Sequence, residues 1–379
     1  MIGKLRVEGY RGFKSYTMDG LARVNLIVGK NNSGKTALLE ALAFLASGGA
    51  PVELASIAAR RGEWSDSADD SDEVPSLSHF FFGHELGEGS TFRIEADRGY
   101  SSVGVSIASL TPSERDLTME RAARRASLRL RTHLKDGRAD GEDGGFPVWA
   151  AHIEGAGSTQ ESVAGPIVIS SRGAMLTAYP PSRRWLLDKG SGNAGYVFVT
   201  TASMSDHRLA QLWKKAELEA RTDAAVAAIR LIDQDVNRIV AVPGGYREAE
   251  WFVATHHRKF PIPIGSYGDG VRRLLGLSLA MVGSADGMFL VDEIDTGLHY
   301  SAMSDVWKMV IGTAEASNIQ VFATTHSWDC IAGLSELLQA SPELQTLVAI
   351  HKIDRNLPHS VVLDGEATAR ITKQHIDPR

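Results

Sequence analysis

The stretch VNLIVGKNNSGKTALLEALAFL, residues 24–45, is the strongest signal in this chain. Its centre, Gly29-Lys30-Asn31-Asn32-Ser33-Gly34-Lys35-Thr36, is a phosphate-loop pattern with every position filled. The apolar run Val24-Asn25-Leu26-Ile27-Val28 precedes it, and the Leu-, Ala- and Glu-rich residues 36–46 that follow have the content of a helix. Strand, glycine-rich loop and helix together are the context in which this motif binds phosphate. The glycines let backbone N–H groups close around phosphates, and the helix N-terminus adds its dipole. Gly29, Asn31, Asn32, Ser33, Gly34, Lys35 and Thr36 are therefore expected at a nucleotide. Lys35 reaches its β- and γ-phosphates, and the Thr36 hydroxyl ligates Mg²⁺.

The remaining sequence bounds what surrounds this loop. Its 379 residues, 43% hydrophobic and 23% charged, leave room for two domains or one large α/β domain with insertions. The longest apolar runs, 274–282 and 288–291, fall short of the roughly 18 residues a bilayer span requires. The first residues, MIGKLRVEGYRGF, hold no apolar h-region, which argues against secretion. The single cysteine, Cys330, excludes a disulfide framework and a Cys-rich metal site, so a cytoplasmic setting without membrane contact is expected. A net charge of −6 does not advertise nucleic acid as the general partner, although it leaves room for a local basic patch.

Residues 2–28 read as a hairpin leading into a buried strand, and the Ser/Asp-rich 47–75 as a solvated loop. Short alternating stretches between 80 and 168, separated by Asp-Gly turns, predict an inserted antiparallel sheet. From 207 to about 240 the spacing of Leu209, Leu212, Val226, Ile229, Val236 and Ile239 predicts helices too short for a coiled coil. After 260 strands and helices alternate to residue 352.

Three further motifs follow in order. Ile264-Gly265-Ser266-Tyr267-Gly268-Asp269 opens a helix. Met288-Phe289-Leu290-Val291-Asp292-Glu293 is an apolar strand delivering two carboxylates, Asp292 for Mg²⁺ and Glu293 as the general base. Asp295 lies just beyond it, and the strand Val321–Thr325 runs into His326. Together these resemble the ABC-type ATPases, in which a Ser-x-Gly signature, a D-loop after the catalytic Glu and a switch histidine occur in this sequence. GYRGFKSY, DEIDTGLH and TTHS narrow the resemblance to the branch holding SMC, RecF and OLD-type ATPases. The chain is most similar there to the OLD-like ATPase subunits of bacterial anti-phage systems of the PARIS kind.

The resemblance implies an α/β fold, a P-loop ABC-type ATPase head with an inserted antiparallel β-sheet, a short helical insertion and no long coiled coil. The expected core is 1–46 plus 260–379, with a β-rich lobe at 47–205 and the helical insertion at 206–259. ATP and Mg²⁺ are the implied cofactors. Catalysis falls to Glu293 and His326. Ser266, Gly268 and Asp295 complete the site of a second copy in a dimer or higher oligomer. Arg11 and Phe13 in GYRGF either meet the nucleotide, as the resemblance implies, or form an exposed turn with a core Phe. Position alone makes Thr200-Thr201 the Q-loop candidate. OLD nucleases carry a Toprim domain after the ATPase, yet only 53 residues follow His326 here. The implied role is an ATP-driven sensor or scaffold for a separate effector of the Toprim nuclease type. The alternative is a RecF- or SMC-like repair ATPase that clamps DNA. The basic run 121–135 is either a DNA phosphate track or a sheet edge guarded by charge. Cys330 reads as a buried helix thiol and His299 as a cap.

Overall fold

In chain order the strands are β1 (Lys4–Tyr10), β2 (Phe13–Asp19), β3 (Val24–Val28), β4 (Trp64–Asp66), β5 (Glu73–Pro75), β6 (Thr91–Ala96), β7 (Val103–Ser109), β8 (Val148–Glu154) and β9 (Ile167–Ser170). They continue with β10 (Tyr196–Val199), β11 (Val236–Val242), β12 (Glu250–Thr255), β13 (Ile262–Pro263), β14 (Met288–Val291), β15 (Gln320–Thr324), β16 (Val348–Lys352) and β17 (Val361–Asp364). The helices are α1 (Lys35–Ala46), α2 (Pro51–Arg61), α3 (Asp206–Leu218), α4 (Thr222–Arg230), α5 (Asp269–Gly283), α6 (Met303–Ala316), α7 (Trp328–Ala340) and α8 (Gly365–Gln374). The computed structural model describes residues 1–66, 73–98, 102–114, 116, 148–155, 167–170, 174–175, 195–202, 204–242, 250–374 and 377–379. Contacts divide the chain into two compact units. One is Met1–Lys4, Met18–Leu39 and Gly190–Arg379; the other is Leu5–Thr17 and Glu40–Lys189.

The first unit is built on a sheet of order β10-β14-β15-β3-β16-β17, parallel except for β17. Strands β14 (MFLV) and β3 (VNLIV) are buried at every residue, as expected of a parallel sheet covered on both faces. The two amides in β3 and β15 are satisfied. Asn25 Nδ2 donates to the carbonyls of Ala22 (2.8 Å) and Val321 (3.1 Å), and Gln320 Nε2 donates to that of Ile2 (2.8 Å). In register Val199 lies opposite Val291, Val291 opposite Ala323, and Ala323 opposite Leu26. The carboxyl ends of the four strands are thereby aligned, which is where α/β sheets hold ligands. Ser327 caps α7, its Oγ accepting from the Cys330 N–H at 3.3 Å. Cys330 is buried in that helix, its thiol pushed up by burial.

The second unit is an antiparallel sheet of order β2-β1-β6-β7-β8-β9 with α2. Gly9 (φ +67°) sits where β1 meets β6, and a Cβ there would collide with the Thr91 carbonyl, so only glycine fits. Phe92 anchors the core, with ring centroids 5.1 Å from Tyr10, 5.5 Å from Phe81 and 5.9 Å from Phe44.

This is the expected head fold with an inserted sheet, but several boundaries move. The hairpin β1–β2, expected in the core, joins the inserted sheet, whereas β10, expected in the β-rich lobe, is an edge strand of the central sheet. Residues 47–75 are not one loop. Pro51 starts α2, and Gly62, in the left-handed conformation at φ +69°, ends it. The expected helical insertion holds α3 and α4, but Val236 and Ile239 lie on strand β11, paired with β12. Their spacing of three had suggested a helix; a register shift between Val236 and Arg238 lets both face inward from a strand. The basic run 121–135 lies outside the described residues. Among the described residues no helix is long and apolar enough to cross a membrane.

Candidate nucleotide site

The phosphate loop leaves β3 at Gly29, whose φ of +148° and crowding demand glycine; a Cβ there would meet the Ile353 carbonyl oxygen at 2.6 Å and Ser33 Oγ at 3.0 Å. Asn32 (φ +60°) and Gly34 (φ +102°) also have positive φ, and the Ser33 N–H donates to the Lys30 carbonyl at 3.2 Å, which folds the loop tightly back towards α1. Lys35, first in α1, sends Nζ back to the carbonyls of Gly29 (2.8 Å) and Lys30 (3.1 Å). Burial lowers its pKa, and the carboxylates of Asp292 and Glu293 oppose the shift. Lys30, Asn31 and Asn32 are exposed, and Arg355 Nη2 donates to Asn32 Oδ1 at 2.9 Å. Ser33 Oγ is buried in the loop with no hydrogen-bond partner among the described residues. An orphaned, buried hydroxyl in a glycine-rich loop at a helix start fits a phosphate oxygen.

The parallel register brings β14 and β15 beside this loop. Thr36 Oγ1 lies 3.0 Å from Asp292 Oδ2, and Thr324 Oγ1 donates to Asp292 Oδ1 at 2.6 Å. One carboxylate and one hydroxyl are what a hard cation such as Mg²⁺ takes from protein when phosphate and water fill its remaining positions. Among the described residues no group of three or more His, Cys, Asp or Glu could hold a metal ion.

Glu293 follows with φ +47°, a left-handed backbone rare for a side-chain residue. Its N–H donates to Thr324 Oγ1 (2.8 Å), and its Oε1 lies 3.2 Å from His326 Nδ1. The side chains are 36% and 53% exposed, so water reaches the pair. Asp295 accepts from Thr325 Oγ1 at 2.7 Å. Ser266 and Gly268 are exposed at the start of α5, whose N-cap, Gly268, supplies no side-chain bond. His299 caps the short 3₁₀ turn Tyr300–Ala302. Thr200 directly follows β10, and its carbonyl accepts from Arg273.

The structure thus brings Gly29, Lys35, Thr36, Asp292, Glu293 and His326 together, with Asp295 adjoining. Arg11 lies in the other unit, 4% exposed, with Nη1 and Nη2 on Glu63 (2.6 and 3.0 Å) and Nε 3.0 Å from Glu40. Its guanidinium also lies over the Phe80 ring at 4.6 Å. Carboxylates lie along its edge and a ring on its face, so its charge is matched inside this unit. Sequence reasoning missed Thr324, which bonds both Asp292 and Glu293, and Arg273. The Thr-Thr before His326 was visible, but its bonding depends on the β14–β15 register.

A parallel sheet that presents a phosphate loop, an Asp-Glu strand end and a Thr-Thr-His strand end side by side defines a P-loop ATPase of the ABC/SMC type. The chain belongs to the family described as "AAA domain, putative AbiEii toxin, Type IV TA system", whose model matches residues 24–329. It is 31% identical over 84 residues to an ATP/GTP phosphatase of Helicobacter pylori, covering 21% of this chain and 23% of that one. It is 38% identical over 47 residues to an uncharacterized protein of Methanocaldococcus jannaschii, covering 12% and 22%. The matched stretches span less than a quarter of either relative's length. An SMC head solved with the C-winged helix domain of ScpA matches over 98% of this chain and 99% of that one, with TM-score 0.50 and 14% identity, a likeness of fold.

Proposed function

We propose that the chain binds ATP with Mg²⁺ at Gly29–Thr36, hydrolyses it through Glu293, and uses the cycle to join and release copies of itself. The contact between Glu293 and His326, beside the Thr36–Asp292 pair, carries this reading. Bound Mg²⁺ supplies charge neutralisation at the phosphates. Lys35 exchanges the Gly29 and Lys30 carbonyls for phosphate oxygens, and the loop amides and Ser33 complete the cradle. Glu293 accepts a proton from the attacking water, while His326 orients its carboxylate. Ser266, Gly268 and the uncapped start of α5 would meet the γ-phosphate held by a second copy, with Asp295 alongside.

The role we infer is a sensor or scaffold for a separate effector of the Toprim nuclease type in anti-phage defence. The family description, which names a toxin of a type IV system, supports work with a partner. The SMC head solved with ScpA supports a head of this fold as a docking platform for another protein. The test is Glu293→Gln with ATP and Mg²⁺, followed by light scattering. Hydrolysis should fall about 10²- to 10⁴-fold and association should become ATP-dependent, then disappear on adding Ser266→Arg. Unchanged turnover removes Glu293 as the base, and association without ATP removes the shared site. Stimulation of turnover by DNA, in place of a stable complex with a nuclease, would favour the clamp instead.

A further inference from the structure

The Glu293 backbone is held in a left-handed conformation that its own side chain does not favour, and such a residue persists only where its surroundings over-determine it. Thr324 Oγ1 holds its N–H and His326 faces its carboxylate. Its carbonyl is held by a residue that the hydrolytic scheme above does not use. Arg273, in the second turn of α5, donates Nη1 to the Thr200 carbonyl at 2.7 Å, and Nη2 to the carbonyls of Asp292 (3.3 Å) and Glu293 (3.2 Å). One guanidinium therefore ties together the ends of β10 and β14. The helix that carries it begins at Gly268–Asp269, just after Ser266 and Tyr267.

We infer that Arg273 is a positioning residue: it holds the Glu293 backbone where the carboxylate can act as base, and links that position to helix α5. The inference rests on the proposed role of Glu293. A planar fork suits this task, since two nitrogens reach three carbonyls of fixed geometry, which the single ammonium of lysine does not match. Because α5 starts at the signature loop, a shift of that helix when Ser266 meets a phosphate would be felt at the Glu293 carbonyl through this side chain. The contact is to main chain, so it leaves the Glu293 carboxylate free for chemistry.

The test compares Arg273→Ala, Arg273→Lys, Glu293→Gln and the double variant Arg273→Ala/Glu293→Gln in full-length protein. Measurements are kcat, KM, affinity for a non-hydrolysed ATP analogue, and thermal unfolding. Arg273→Ala should lower kcat by about 10²-fold with analogue affinity nearly unchanged, as expected for a misplaced base. Arg273→Lys should fall between it and the parent. In the Glu293→Gln background, Arg273→Ala should change residual turnover little, because a group acting through Glu293 has nothing left to position. Full multiplication of the two losses, or a parent-like kcat, overturns the inference while leaving Glu293 as the base. Equal losses in analogue affinity and kcat/KM also overturn it, since they mark loss of binding. If Arg273→Ala unfolds, Arg273→Lys decides alone: parent-like kcat refutes, and lower kcat at parent-like analogue affinity supports. Unchanged turnover in Glu293→Gln instead sinks the general-base reading itself.

Discussion

Replacing Thr324 with valine removes one hydroxyl and almost no volume, from a residue that is fully buried. That hydroxyl donates to Asp292 Oδ1 at 2.6 Å and accepts from the Glu293 N–H at 2.8 Å. A hydrogen bond to a charged group contributes about 1.5–3 kcal/mol net, and an orphaned buried donor costs about 1–3 kcal/mol. The two overlap, because Asp292 keeps its contact with Thr36, so a total of about 2–4 kcal/mol is expected. For a unit of this size that is a fall in Tm of about 5–10 °C. Thr324→Ser, which keeps the hydroxyl, should lose about 1 kcal/mol at most, from the missing methyl alone. Turnover should separate the pair more sharply than stability. Valine frees the Glu293 amide and loosens the base, whereas serine retains it. Urea titration followed by fluorescence, with ATP turnover at 25 °C, measures both effects. A valine variant within about 0.5 kcal/mol of the parent and with parent turnover would refute the view that this hydroxyl ties Asp292 to Glu293.

Three other outcomes are expected. Lys35→Ala should abolish ATP binding by calorimetry, whereas Glu293→Gln should retain it; retained binding in Lys35→Ala would displace the phosphate loop as the site. Arg11→Ala should cost about 2–4 kcal/mol in urea unfolding, because Glu63 loses a bidentate partner and the buried Glu40 keeps only Arg61, and nucleotide affinity of the folded variant should not change. A lost affinity would return Arg11 to the nucleotide. Burial lowers the His351 pKa from 6.5 to about 4, its Nδ1 meeting Ser360 Oγ and its Nε2 having no partner among the described residues. The folded protein holds this ring neutral while the unfolded chain protonates it near pH 6.5, so stability is full above that value. It falls as pH drops towards about 4, by an amount on the order of 3 kcal/mol, and His351→Gln should flatten that slope in unfolding titrations between pH 7 and 4.5. An unchanged slope would mean that His351 does not titrate in this window.

Local chemistry made much of the site legible in the chain. Residues 24–45 placed the phosphate loop between a strand and a helix, and the order of Ser266, Asp292, Glu293, Asp295 and His326 pointed to the ABC type. These features are short, contiguous, and tied to a strand end or helix start, so each carries its context with it. The continuous apolar run Met288–Val291 is equally plain, because a strand buried on both faces has no polar side to mask it. Non-local pairing was not legible. Spacing alone lent Val236 and Ile239 a helical period, but their pairing with β12 and a register shift made them a strand. Arg11 stood in a motif that suggested a nucleotide. Its fate was decided by Glu40 and Glu63, residues 29 and 52 positions away, which fold into the same buried cluster. Thr324 and Arg273 became part of the site only through the register of β14 against β15 and the packing of α5. Which residues are proposed to hold phosphate and move a proton followed from the chain's local motifs. Which backbone atoms hold those residues in place followed only from folding, since hydrogen bonds between distant segments depend on ångström-scale register that no local pattern encodes.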